Sequence, residues 1–245
     1  MFQLTGKTAL ITGGGSGLGK AIAHALSDAG AKIVLAGRRE TLLVEALETR
    51  SGAVLPIDLM EPNAPDDVVS FFRENALHPD ILVNAAGINP RAPADEITPE
   101  VWQTTLHLNL SVPFLLAQKL VPGMKAKNWG RVINIASLQS QRAFENGIAY
   151  GASKGGIAQL TRAMAEAWSP HGITANALAP GFFPTELTEP IFSNPELRAT
   201  MAARTAIGRN GTMEDIAGPA VFFASEASRY VTGQVLYVDG GYTAK

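Results

Sequence analysis

Residues 8–30 read TALITGGGSGLGKAIAHALSDAG. The run from Thr8 to Gly13 is apolar and β-branched, and it ends in glycines. Leu18, Ile22, Ala25, Leu26 and Ala29 then recur at helical spacing until Gly30 stops the pattern. Strand, glycine-rich turn and amphipathic helix in direct succession form the opening half of a strand-helix-strand unit. Outward from this stretch the same kind of apolar run returns as KIVLAG (32–37), AVLPID (53–58), ILVNAAG (81–87), RVINIAS (131–137), ITANALAPG (173–181) and VLYVDGG (235–241). Seven strands are expected. They are continuously apolar, as parallel strands covered by helices on both faces must be, so the fold class is α/β with a doubly wound parallel sheet. Crossovers in such a sheet are right-handed, which places ligand chemistry at the carboxyl ends of the strands.

The 245 residues are 46% hydrophobic and 17% charged, enough to bury a large core without disorder. No repeat, linker or low-complexity tract marks a boundary, and 1–245 is expected to be one domain. The irregular stretch 182–213, rich in proline and scattered apolar residues, suits a short helical flap over a pocket. The absence of cysteine excludes disulfides and thiolate chemistry and fits a reducing cytoplasm. A net charge of −2 with mixed signs offers no basic field for nucleic acid. The beginning, MFQLTGKTALITGG, has no export signal pattern, and no segment is apolar enough to span a membrane.

Thr12-Gly13-Gly14-Gly15-Ser16-Gly17-Leu18-Gly19, between strand and helix, is suited to a dinucleotide pyrophosphate. Glycines admit the phosphate to the backbone, and the helix N-terminus offers unpaired N–H groups to its charge. The second strand ends in Gly37-Arg38-Arg39, where a carboxylate would ordinarily hold the adenosine ribose. Two guanidinium groups there favour a 2′-phosphate, hence NADP, with NAD the alternative. Asp58, followed by Leu59, closes the third strand and can either accept from an adenine amino group or cap the next helix.

Tyr150 and Lys154 stand four apart on one helical face, and Ser137 closes the fifth strand. A phenol titrates near pH 10, so its use near neutrality requires about 1.4 kcal/mol of phenolate stabilisation for each tenfold gain in acidity. A neighbouring ammonium and a positively charged nicotinamide act in that sense. The glycine-rich loop, Asn84-Ala85-Ala86-Gly87, Ser137, Tyr150 with Lys154, Pro180-Gly181 and Val238-Asp239-Gly240-Gly241 together resemble the short-chain dehydrogenase/reductase family over the whole chain. The resemblance implies a Rossmann-type sheet ordered 3-2-1-4-5-6-7, hydride transfer between an alcohol or ketone and a nicotinamide dinucleotide, and usually a homotetramer. It implies a tetrad of Asn109, Ser137, Tyr150 and Lys154, with Lys154 on the nicotinamide ribose, Asn84 to Gly87 beside the cofactor, and Thr185 on its carboxamide or phosphates. Ser16 departs from many NADP-preferring relatives, which carry a basic residue there.

Pro113 lies four residues after Asn109 and brings no N–H, so the Asn109 carbonyl lacks its usual helical donor. A water bridging that carbonyl to the Lys154 amine is expected in its place, as the family's proton relay implies. Asn89, Arg91, Gln139, Arg142, Asn146, Phe182, Phe183 and Glu186 flank these positions and are the expected substrate residues. Clustered arginines suit a carboxylate or a polyol, similar to gluconate 5-dehydrogenase-like and other sugar-acid members. The alternatives are a 3-oxoacyl-carrier-protein reductase, docking its acidic carrier on Lys125, Lys127 and Arg131, and a catalytically idle dinucleotide-binding scaffold. The Ala/Gly-rich helical stretch 150–168 is suited to close packing between subunits.

Overall fold

In the computed structural model, which describes residues 1–245, all seven apolar runs are strands of one parallel sheet. They are β1 (Thr8–Thr12), β2 (Lys32–Gly37), β3 (Gly52–Pro56), β4 (Ile81–Asn84), β5 (Gly130–Ile135), β6 (Ile173–Pro180) and β7 (Val235–Val238), in the order β3-β2-β1-β4-β5-β6-β7. The chain reverses direction across the sheet between β3 and β4. The β1 to β2 and β1 to β4 pairings therefore flank a crevice at the carboxyl end of β1.

The helices are α1 (Gly17–Asp28), α2 (Glu40–Leu47), α3 (Ala64–Glu74), α4 (Pro99–Leu106), α5 (Val112–Ala126), α6 (Ile148–Trp168), α7 (Glu189–Phe192), α8 (Pro195–Ala203) and α9 (Met213–Ala224). The continuous apolarity of the strands has a direct cause. Ala9, Ile11, Ile33 and Leu35 point into one core with Ile22 and Leu26 of α1 and Ala220 and Phe223 of α9. Leu10, Val34, Leu82 and Val132 point into a second core with Val68 and Phe72 of α3, Leu116 and Leu120 of α5 and Met164 of α6. Truncating any of the large buried side chains to alanine is expected to cost about 2–5 kcal/mol.

Helix α1 ends as its sequence predicts. Gly30 adopts a φ of +102°, its N–H reaches Ser27 O, and the Ala31 N–H reaches Leu26 O, which satisfies the last carbonyls. Strand pairing stops earlier than the apolar runs. Ala85 and Ala86 leave the sheet because the Thr12 hydroxyl takes both of their N–H groups at 3.1 Å.

The expected basic docking patch is not formed. Arg131 is the second residue of β5 and is buried at 2% exposure, stacked 4.3 Å from the Trp129 ring and paired with Glu226 at 3.0 Å. Lys127 is paired with Asp80 at 2.7 Å, and Lys7 also sits over Trp129. A charged residue at the amino end of a buried strand serves to close that end of the sheet, away from the crevice. No helix is long and apolar enough to cross a membrane.

Candidate active site

The crevice at the carboxyl ends of the strands opens into a cleft of about 1070 Å³. One end is built by the β1 to α1 turn. Gly13 and Gly17 take φ of +66° and +52°, and a Cβ at Gly19 would stand 2.2 Å from Gly13 O, so this turn cannot carry side chains. Ser16 is the N-cap of α1 but makes no side-chain capping bond, which leaves the first N–H groups of the helix open to an anion. A glycine cradle against an uncapped helix start fits a dinucleotide pyrophosphate. No group of three His, Asp or Glu side chains is placed to hold a metal ion.

Around that turn the cleft is lined by Gly15, Leu18, Arg38, Arg39, Asp58, Leu59, Ala85, Ala86, Gly87, Pro180, Gly181 and Thr185. Asp58 does not cap the next helix. Its Oδ1 accepts from the Met60 N–H at 2.9 Å, and α3 begins after Asn63. Arg38 and Arg39 are exposed at the end of β2.

Asn84 lies outside the cleft. It pairs with Asn134 across β4 and β5, and its Nδ2 donates to Asn134 Oδ1 at 2.8 Å inside the sheet. Its Oδ1 is buried without a partner and its side chain does not line the cleft, so the structure places Asn84 behind the cleft wall formed by Ala85 to Gly87.

At the other end Ser137, Tyr150 and Lys154 line the cleft together. Ser137 leaves β5 in extended conformation, and its Oγ accepts from Gln139 N–H at 3.1 Å. Lys154 is 4% exposed and donates through Nζ to Ile135 O at 2.6 Å. That bond ties the first turns of α6 to the end of β5. Ser140 Oγ adds a second tie by donating to Lys154 O at 2.6 Å.

Asn109 stands behind Gly87 rather than on the cleft wall. Its amide donates to Ile88 O at 2.9 Å and Ser153 Oγ at 3.0 Å, and its Oδ1 accepts from Ile88 N–H at 2.9 Å. Ser153 Oγ in turn donates to Tyr150 O at 2.7 Å. One side chain therefore joins the exit of β4 to the turn of α6 that bears the phenol. Residues 107–111 form a single π-helical turn, separated from Pro113 by Val112 alone. Such turns widen a helix where a donor is missing.

The charges differ from the expectation in one respect. Burial is the largest influence on the Tyr150 phenol and raises its pKa, while the Ser137 hydroxyl and the Arg91 charge oppose it. The Lys154 ammonium lies 5.5 Å from the ring centroid, and burial pushes its own pKa down to about 8. Burial therefore outweighs the chain's own charges and leaves the phenol above its ordinary value.

Asn89, Arg91, Gln139, Arg142, Asn146 and Phe182 all line the outer cleft. Asn89 Oδ1 and Gln139 Oε1 are buried without a partner, and Gln139 Oε1 is turned toward Gly147, where a Cβ would stand 2.4 Å from it. Arg142 is partly committed, since its Nη2 donates to the backbone oxygens of Thr243 and Lys245. Phe182 and Phe183 both line the cleft, but Phe183 is 2% exposed and packs mainly in the core with α1 and α9, so Phe182 offers the larger face. Glu186 also departs from the substrate group and faces Arg39. Sequence reading missed Phe144, Arg204 and Tyr242, which complete the outer wall. Phe144, Phe182 and Tyr242 pack ring against ring at 5.7–6.3 Å, a meeting of three distant segments that no local pattern announces.

A family model described as "Enoyl-(Acyl carrier protein) reductase" matches residues 13–243. The chain is 37% identical to a gluconate 5-dehydrogenase of Gluconobacter oxydans (strain 621H), over 99% of this chain and 97% of that protein. It is 42% identical to a 2-dehydro-3-deoxy-D-gluconate 5-dehydrogenase of Bacillus subtilis (strain 168), over 100% of this chain and 97% of that protein. The crystal structure of a gluconate 5-dehydrogenase from Burkholderia cenocepacia J2315, in complex with NADP and tartrate, superposes with a TM-score of 0.94 at 38% identity. It covers 100% of this chain and 98% of that one. Likeness of this extent, on a sheet of this order, shows that the chain belongs to the short-chain dehydrogenase/reductase family of NAD(P)-dependent oxidoreductases.

Proposed function

We propose that this enzyme uses NADP(H), with NAD(H) the alternative, to interconvert a secondary alcohol and a ketone on a sugar acid or similar polyol. The observation that carries the reading is the meeting of Ser137, Tyr150 and Lys154 in one cleft with the glycine cradle, beneath a rim holding Arg91, Arg142 and Arg204. The names of the relatives support the substrate class, and the NADP and tartrate bound by the Burkholderia protein support both ligands.

Gly13, Gly15, Ser16, Gly17, Leu18 and Gly19 would hold the pyrophosphate, with Arg38 and Arg39 at a 2′-phosphate. Asp58 and Leu59 would meet the adenine, and Ala85 to Gly87, Pro180, Gly181 and Thr185 the nicotinamide half. When bound, the dinucleotide supplies the hydride and, in its oxidised form, a positive charge that favours the Tyr150 phenolate.

Ser137 Oγ already accepts from Gln139, so its own proton is free to hold the substrate oxygen. Tyr150 gives a proton to that oxygen during reduction and takes it back during oxidation. Lys154 spends one donor on Ile135 O and keeps two, enough for a ribose hydroxyl and a water bridging to the Asn109 carbonyl. Asn109 keeps α6 in register with the β4 exit. Asn89, Gln139 and Asn146 give the outer cleft a polar lining suited to substrate hydroxyls, and the arginines suit its carboxylate. The chain 1–245 acts as one dinucleotide-binding unit in the cytoplasm, with 182–213 as a substrate flap and four copies to the assembly.

The test is oxidation of NADPH and NADH across keto sugar acids, neutral ketoses and a 3-oxoacyl thioester. Turnover is expected on the keto sugar acids, and Tyr150→Phe should lower kcat by about 10²–10⁴-fold with dinucleotide binding retained. Preference for the thioester, or a Tyr150→Phe variant as active as the parent, overturns the reading.

A further inference from the structure

Glu186 lies near the end of the stretch between β6 and α7, yet it reaches back across the cleft to the end of β2. Its Oε1 and Oε2 accept from Arg39 Nη2 at 2.9 Å and 3.0 Å, and the same nitrogen donates to Ser16 Oγ at 3.4 Å. All three contacts fall on one nitrogen. Nη1 and Nε of Arg39 have no partner in the protein, so the guanidinium is held at one corner with its remaining edge free. The contact is also placed on the cradle itself, because Thr185 packs against Gly17.

We infer that Glu186 is a specificity-determining residue that opposes a 2′-phosphate at Arg39 and keeps the enzyme tolerant of both phosphorylated and unphosphorylated dinucleotides. The inference rests on the dinucleotide reading above. A phosphate that engages the free edge of Arg39 shares one cation with the Glu186 carboxylate, and the two anions lie well within the screening length of about 8 Å. A phosphate that instead draws Nη2 to itself must break the existing pair. Either route weakens the phosphorylated ligand, whereas an unphosphorylated ribose leaves the pair intact.

The opposite effect, in which Glu186 helps by steadying Arg39, is the smaller one. The carboxylate engages Nη2 alone and so does not fix the guanidinium plane, and with side chains 58% and 62% exposed the pair is worth at most about fivefold in affinity, equivalent to about 1 kcal/mol, in either direction. Arg38 beside it, also exposed, is left to supply the attraction that survives.

The test titrates 2′,5′-ADP and 5′-AMP by calorimetry, and NADPH and NADH by their fluorescence, into the parent protein, Glu186→Gln and Arg39→Gln. Glu186→Gln is expected to tighten 2′,5′-ADP and NADPH about fivefold, equivalent to about 1 kcal/mol. The affinities for 5′-AMP and NADH should stay within about twofold. Arg39→Gln should weaken 2′,5′-ADP without moving 5′-AMP. If Glu186→Gln leaves 2′,5′-ADP binding unchanged or weaker, or shifts 5′-AMP in step with it, the inference falls while the dinucleotide reading stands. A parent protein that binds none of the four ligands overturns the dinucleotide reading itself.

Discussion

Lys154 holds a charge where its surroundings disfavour one. Its pKa in the fold is about 8 against an ordinary 10.5, and burial is the cause. Below pH 8 the lysine is protonated folded or unfolded, and the fold bears a penalty on the order of 3 kcal/mol. Between 8 and 10.5 the unfolded chain binds the extra proton, so this residue adds stability as the pH rises. The raised Tyr150 acts in the other direction only once the unfolded phenol begins to ionise near pH 10. Comparing urea unfolding of the parent with Lys154→Met removes the contributions they share. The difference between them should move in the parent's favour by about 2 kcal/mol from pH 8 to pH 10, and a difference flat with pH contradicts the assignment. Ser137, Tyr150 and Lys154 were legible in the sequence because spacing and strand ends fix them. The core packing of Phe183 and the pairing of Glu186 with Arg39 were not, since nearby residues on an irregular loop can turn to opposite sides and only tertiary packing decides which.

The β1 to α1 turn was the most legible element, for a reason the geometry makes plain. Its helix packs so close to the strand exit that the Gly19 position touches Gly13 O, and only glycine satisfies that contact. Gly19→Ala is therefore expected to cost about 1–3 kcal/mol in unfolding free energy and to weaken dinucleotide binding more than tenfold, read by denaturant titration and NADPH fluorescence. A variant that binds as the parent does would show that the turn has room to relax. The strands were placed correctly, β2 with its exact bounds and the other six read one to three residues too far at the carboxyl end, because the small residues after them look like strand. What ends β4 is the Thr12 hydroxyl from a neighbouring strand, which no local window contains. The basic patch failed for a related reason. Arg131 stands in an apolar run, and the run, not the charge, determined its burial.

Across the molecule as a whole, the outward surface of α6 remains open. A groove of about 1020 Å³ runs between α6 and β7, lined by Gly155, Arg162, Glu166, Gln234 and Tyr237 among others. A Cβ at Gly155 would meet nothing within 4 Å, so a larger residue there is compatible with the isolated subunit. If four copies pack through this face, light scattering should give four times the chain mass, and Gly155→Glu should yield smaller species with unchanged circular dichroism. A parent protein that runs as a single chain overturns the tetramer.

The closure of the sheet's amino end around Trp129 has a practical consequence for following the protein in solution. Neither that indole nor Trp102 on α4 or Trp168 at the end of α6 lines the cleft. Intrinsic ultraviolet emission, followed without reduced dinucleotide since that absorbs where tryptophan emits, should therefore report the integrity of the scaffold. Trp129, clasped by Lys7, Arg131 and Glu226, is the fluorophore best placed to signal the first loosening of the end opposite the chemistry.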